Sequence, residues 1–113
     1  PANITLNNGD EVTCIFTNIK RGHIIVDKVT VGGDDTFAFD ASGGTNPAYA
    51  DFDLSGADEP NDQELKPDTY SVTEDVLDGW DLNSATCDDG SVVDAIDLDA
   101  GETVTCTFTN TKR

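Results

Sequence analysis

The feature that most constrains this chain is that one stretch of it occurs twice. Ile96–Arg113 reads IDLDAGETVTCTFTNTKR, and Ile4–Arg21 reads ITLNNGDEVTCIFTNIKR. Eleven of the eighteen positions are identical, Gly9/Gly101, Cys14/Cys106, Phe16/Phe108 and Asn18/Asn110 among them, always 92 residues apart. Self-similarity at a fixed offset is the signature of a repeat architecture. Residues 22–113 read as one complete repeat, and residues 1–21 as the last strand of the preceding repeat plus the join. The chain is expected to be a piece of a tandem array. In it, Lys20-Arg21 and Lys112-Arg113 mark successive joins, short enough to stack neighbouring domains as a stiff rod.

The repeat has no helical periodicity. Short alternating runs are separated by Gly, Asp, Asn and Pro, the pattern of an all-β, Ig-like sandwich. Seven strands are expected: His23–Thr30, Thr36–Asp40, Ala50–Leu54, Thr69–Glu74, Trp80–Thr86, Val93–Leu98 and Glu102–Asn110. Within them Phe37/Phe39, Phe52/Leu54, Tyr70/Val72, Trp80/Leu82, Ile96/Leu98 and Val104/Cys106/Phe108 alternate at period two and should line the core. The stretch from Ser55 to Asp68 is acidic, carries Pro60 and Pro67, and reads as a long loop. Asp10–Asn18 reads as a strand without a domain of its own. In an array it completes the preceding repeat; in isolation it is an extra strand with an open edge able to pair with another molecule.

Charge narrows the partners. Asp and Glu number 23 against 6 Lys and Arg, a net charge of −17. Nucleic acid and anionic membrane surfaces repel such a field. No apolar run is long enough to span a bilayer, so no membrane insertion is expected within this segment. The acidic balance suits solubility, cation binding or high salt. The stretch Asp58-Glu59-Pro60-Asn61-Asp62 offers oxygen ligands that could hold Ca²⁺, with Asp58, Glu59 and Asp62 as candidates. It lacks the order of an EF-hand, and a solvated acidic loop reads the same way, so no metal or other cofactor is assigned.

Three residues on the expected core face are not apolar. Lys28 shares a face with Ile24 and Val26, Glu74 with Tyr70 and Val72, and Asn110 with Val104, Cys106 and Phe108. Burying a lysine, a carboxyl and an amide is costly unless they pair or react. The segments that carry them, HIIVDKV around Lys28, LKPDTYSVTE ending at Glu74, Gly79-Trp80, and VTCTFTN ending at Asn110, resemble the collagen-adhesin B-type or SpaA-type prealbumin-like domain. Gram-positive pilins and surface adhesins string such domains together. The resemblance covers nearly all of residues 22–110. It implies a prealbumin-like sandwich in which Lys28 and Asn110 form an intramolecular isopeptide bond assisted by Glu74. Val76-Leu77 stand where the family often has proline, a departure that touches the turn and not the three side chains. Without the covalent step, the same residues read as a buried Lys28–Glu74 ion pair with Asn110 hydrogen-bonded beside it.

The cysteines follow the repeat. Each repeat supplies two, Cys87 and Cys106, which are expected to form a disulfide, while Cys14 belongs to the repeat before. No Cys-x-x-Cys spacing points to zinc. His23, beside the join, reads as a surface residue, and Asn3-Ile4-Thr5 is a glycosylation sequon. No Ser–His–Asp set or phosphate loop is present. The chain reads as a structural module of an extracellular, cell-surface filament, stalk or adhesin, not as an enzyme. Its partners are adjacent identical repeats, met through strand 10–18, with Asn18 as counterpart of Asn110, and through Lys-Arg joins facing acidic loops of the neighbour. The alternatives are a calcium-dependent module and a carbohydrate-binding one; the latter needs exposed aromatics, for which Tyr49 and Trp80 are the candidates.

Overall fold

Strands form where the sequence alternates. The structure, a computed structural model, describes residues 16–113 and holds eight strands there. They are β1 (Gly22–Val31), β2 (Thr36–Ser42), β3 (Phe52–Ser55), β4 (Asn61–Leu65), β5 (Asp68–Glu74), β6 (Trp80–Cys87), β7 (Ile96–Leu98) and β8 (Thr103–Lys112). Two four-stranded sheets, ordered β4-β1-β8-β6 and β3-β2-β5-β7, face each other as a sandwich. No helix of the described residues is long and apolar enough to cross a membrane.

The two long central strands set the frame. On β1, Gly22, Ile24, Val26 and Lys28 are buried and the residues between them are not. On β8, Val104, Cys106, Phe108 and Asn110 point inward and the alternating threonines point outward. The two strands run parallel, paired from His23↔Thr103 to Val31↔Thr111. The first and last strands of the domain are therefore direct neighbours, and the chain enters at one end of the sandwich and leaves at the other. Between the sheets, Phe39 meets Phe108 edge-on at 5.1 Å and Phe37 meets Trp80 edge-on at 5.2 Å, a favoured aromatic geometry.

The structure corrects the sequence reading in four places. The expected acidic loop contains β4, which pairs antiparallel with β1 from Gly22↔Leu65 to Val26↔Asn61. It escaped notice because only Leu65 supplies a buried apolar residue. The half-buried Gln63 instead clasps the backbone of Ala50, donating to its carbonyl at 2.8 Å and accepting from its N–H at 2.9 Å. That clasp satisfies the backbone at Ala50, and β3 begins only at Phe52. Val93 precedes β7, which spans only Ile96–Leu98. Leu82 is 51% exposed rather than in the core, and it sits at the edge of a register slip of β6 on β8 between Leu82 and Ser84.

Of the repeated N-terminal stretch, residues 4–15, with Cys14 and the strand expected from Asp10, lie outside the described residues. Phe16–Lys20 carry no strand and are exposed. Phe16 is 85% exposed while its counterpart Phe108 is 1% exposed. Asn18 is likewise exposed and Asn110 buried.

Candidate functional site

Lys28, Glu74 and Asn110 converge in the core. Lys28 sits opposite Phe108 in the β1–β8 register, two residues short of the Thr30↔Asn110 pair. The lysine stem spans that offset, and its Nζ donates a hydrogen bond to Asn110 Oδ1. Glu74, the last residue of β5, reaches in from the facing sheet. Its Oε1 accepts from Asn110 Nδ2 at 2.6 Å, and its Oε2 lies 3.3 Å from Lys28 Nζ. The carboxyl thus bridges the amine and the amide nitrogen. Nζ also faces the Val29 and Phe108 carbonyls at 3.3 and 3.4 Å and lies 4.3 Å from the centre of the Phe37 ring.

The surroundings decide the electrostatics. The Lys28 and Glu74 side chains are 0% and 2% exposed. Burial pushes the Lys28 amine below its ordinary pKa, and the charge and hydrogen bond of Glu74 oppose that shift. The arrangement permits two states: a buried ion pair with the amide bonded alongside, or condensation of the amine with the amide carbon. Sequence phasing identified all three residues. It did not assign Phe37 a place beside the amine, since an aromatic at period two reads only as core.

The other expected residues are placed as follows. Cys87 and Cys106 are directly opposed on β6 and β8 and joined by a disulfide. The calcium candidates are spread apart. Asp58 Oδ2 accepts from Ser55 N at 2.8 Å within a turn, and Asp62 lies on β4, 2.8 Å from His23 Nδ1. Glu59 is exposed between them. Among the described residues no three His, Cys, Asp or Glu side chains converge on a metal site. Tyr49 and Trp80 are each only 3% exposed, so neither offers a sugar-stacking face. His23 is half-exposed and ties β1 to β4 through Asp62.

Lys112 and Arg113, the pair expected to mark a join, contact this domain's own residues. Arg113 Nε and Nη2 both lie 2.9 Å from Asp81 Oδ1, and its backbone N–H donates to Gly79 O at 2.8 Å. Lys112 Nζ lies 6.0 Å from the centre of the Trp80 ring.

The profile of the SpaA-type prealbumin-like fold domain matches residues 24–112. The chain belongs to that family. Its match runs from β1 to the end of β8 and so includes Lys28, Glu74 and Asn110. Among solved structures, the major pilin protein T-13 of Streptococcus pyogenes is similar, with 18% identity over 83% of this chain and 46% of the pilin and a TM-score of 0.49. The major pilin T3.2 of the same organism aligns over 84% of this chain and 45% of the pilin, with 15% identity and a TM-score of 0.46. A further Streptococcus pyogenes major pilin aligns at 17% identity over 82% of this chain and 48% of the pilin, with a TM-score of 0.40. The chain thus spans about half the length of the pilins it is similar to. No curated protein matches it.

Proposed function

We propose that the chain is a load-bearing repeat module of a cell-surface filament, stalk or adhesin, closed by an isopeptide bond between Lys28 and Asn110. The observation that carries the reading is the buried Lys28–Glu74–Asn110 cluster. Burial lowers the Lys28 pKa and so favours the free amine, the nucleophile such a bond needs. Lys28 Nζ attacks Asn110 Cγ. Glu74, whose carboxyl bridges the amine and the amide nitrogen, accepts the proton shed by the attacking nitrogen and passes one to the departing amide nitrogen. One C–N bond forms, one breaks, and ammonia leaves, so no cofactor or oxidant enters. The reaction happens once per molecule.

The tandem-array reading adds the second part. Residues 1–21 are the end of a preceding repeat, and residues 22–113 are one repeat. The opposite burial of Phe16 and Phe108 supports it: Phe108 is packed inside this domain, while its counterpart Phe16 is exposed outside it. The intact mass of the reduced, purified chain tests the cross-link. It is expected to lie below the sequence mass by one ammonia in the wild type and at the sequence mass in Glu74→Ala. A wild-type chain at full sequence mass would leave the cluster as a buried ion pair.

A further inference from the structure

The geometry points to the Lys-Arg join as a two-sided coupler that seats this domain directly against a second copy of itself. The inference rests on the tandem-array reading. Lys20-Arg21 and Lys112-Arg113 are the same join seen from opposite sides, and each side is anchored. On the side of the domain being left, Arg113 is held by the Gly79 carbonyl and the Asp81 carboxylate. The Lys112 stem lies over Gly33, its Cδ 3.0 Å from where a Cβ would sit.

On the side of the domain being entered, the residue after the arginine is already locked. Gly22 is buried, and a Cβ there would lie 2.5 Å from Glu102 O and 2.8 Å from Leu98 Cδ1. The His23 N–H donates to Glu102 O at 2.9 Å. The Lys20 stem rests on Gly101, its Cδ 3.2 Å from that residue's would-be Cβ. One peptide bond, Arg21–Gly22, therefore separates a residue fixed to one domain from a residue fixed to the next. With no free residue between them, the two domain ends must touch. The lysine stem is then held between Gly33 and Trp80 of one copy and the Gly101 turn of the next.

Charge gives the contact a register. Arg21 lines a groove with Lys66 and Pro67 at the turn between β4 and β5. Its counterpart Arg113 sits on Asp81. The shared arginine brings Asp81 of one copy to Lys66 of the next, and Lys66 is exposed and without an ion-pair partner among the described residues. The domain being left also carries exposed Asp34, Asp35 and Asp78 at that end, which matches a basic visitor.

A two-repeat chain tests this: the full chain followed by a second copy of residues 22–113. Residual dipolar couplings should give both repeats one common alignment tensor. Gly-Ser inserted between Arg113 and the next Gly22 should split it into two. Lys66→Glu in the second repeat should reduce the common alignment at least twofold, and Asp81→Asn in the first, which releases Arg113 from its anchor, should do the same. Independent tensors in the unaltered two-repeat chain, or no response to Lys66→Glu, would overturn the coupler. Intact mass on the same samples reads the cross-link separately. Repeats that have lost ammonia yet tumble independently sink the coupler alone, and repeats at full mass that align together sink the cross-link alone.

Discussion

At Tyr49 a phenol is buried whose hydroxyl has no hydrogen-bond partner. Burial pushes its pKa up, which favours the neutral phenol. A buried, unsatisfied hydroxyl costs about 1–3 kcal/mol, while its ring keeps its contacts with Phe52 and Tyr70. Tyr49→Phe is therefore expected to hold or raise the melting temperature, and a clear drop would mean the hydroxyl has a role. Two carboxylates show opposite pH signs. Asp40 shares a hydrogen bond with the Asp75 carboxyl and is repelled by it, which holds its pKa above the ordinary value. A carboxyl raised in the folded state contributes stability present below its unfolded pKa and lost as pH rises through the folded one. Asp75→Asn should then stabilise the domain at neutral pH, with the gain shrinking as pH falls towards about 4. Asp34 is the reverse case: the Gly56 N–H, then those of Asp35 and the Thr30 hydroxyl, hold it below its ordinary value. Its contribution is present above the unfolded pKa and lost as pH falls through the folded one. Denaturation midpoints of Asp75→Asn and Asp34→Asn across pH 3–8 should therefore diverge in sign.

Among the elements, β6 is the edge strand of its sheet, bonded only to β8. The disulfide pins its far end by closing a loop with a sequence separation of 19. Removing it with Cys87→Ala and Cys106→Ala together should cost roughly 3 kcal/mol in the chain-entropy model. Chemical denaturation of the double variant checks this, and a loss under about 1 kcal/mol would mean the edge is held by its ladder alone. The same strand shows where sequence reading ran out. Period two from Trp80 predicted Leu82 in the core, but Leu82 is exposed at the edge of a register slip before Ser84, and no residue type announces a bulge there. β4 was invisible for a different reason: an edge strand whose inward positions are Asn61, Gln63 and Leu65 carries one apolar residue there and so no apolar alternation to detect. Lys28, Glu74 and Asn110 were legible because β1, β5 and β8 alternate without interruption, so a polar residue on the buried phase stood out. Their convergence needed the parallel β1–β8 pairing and the facing sheet, which strand phase alone does not supply.

For the whole molecule, the direction of load follows from the topology. Tension applied to the two ends of the domain would enter at Gly22 and leave beyond Lys112, at opposite ends of two adjacent parallel strands. Their pairs from His23↔Thr103 to Val31↔Thr111 are then loaded together in shear rather than opened one at a time. A covalent bond between Lys28 and Asn110 would take the load near the far end of both strands. The intervening sequence, a separation of 82 residues, would no longer lie on the force path. The disulfide cannot do this, because its 19-residue loop leaves most of the domain in line. Single-molecule pulling on the reduced chain separates the cases. Glu74→Ala should unfold with the release of roughly 27–30 nm of chain between Lys28 and Asn110, taking about 3.3–3.6 Å per extended residue. The wild type under the same reducing conditions should show no such step at any force short of backbone rupture, since only residues 22–27 and the tail after Asn110 carry tension. A full-length unfolding step in wild-type molecules whose mass already shows the ammonia loss would place the bond elsewhere in the chain.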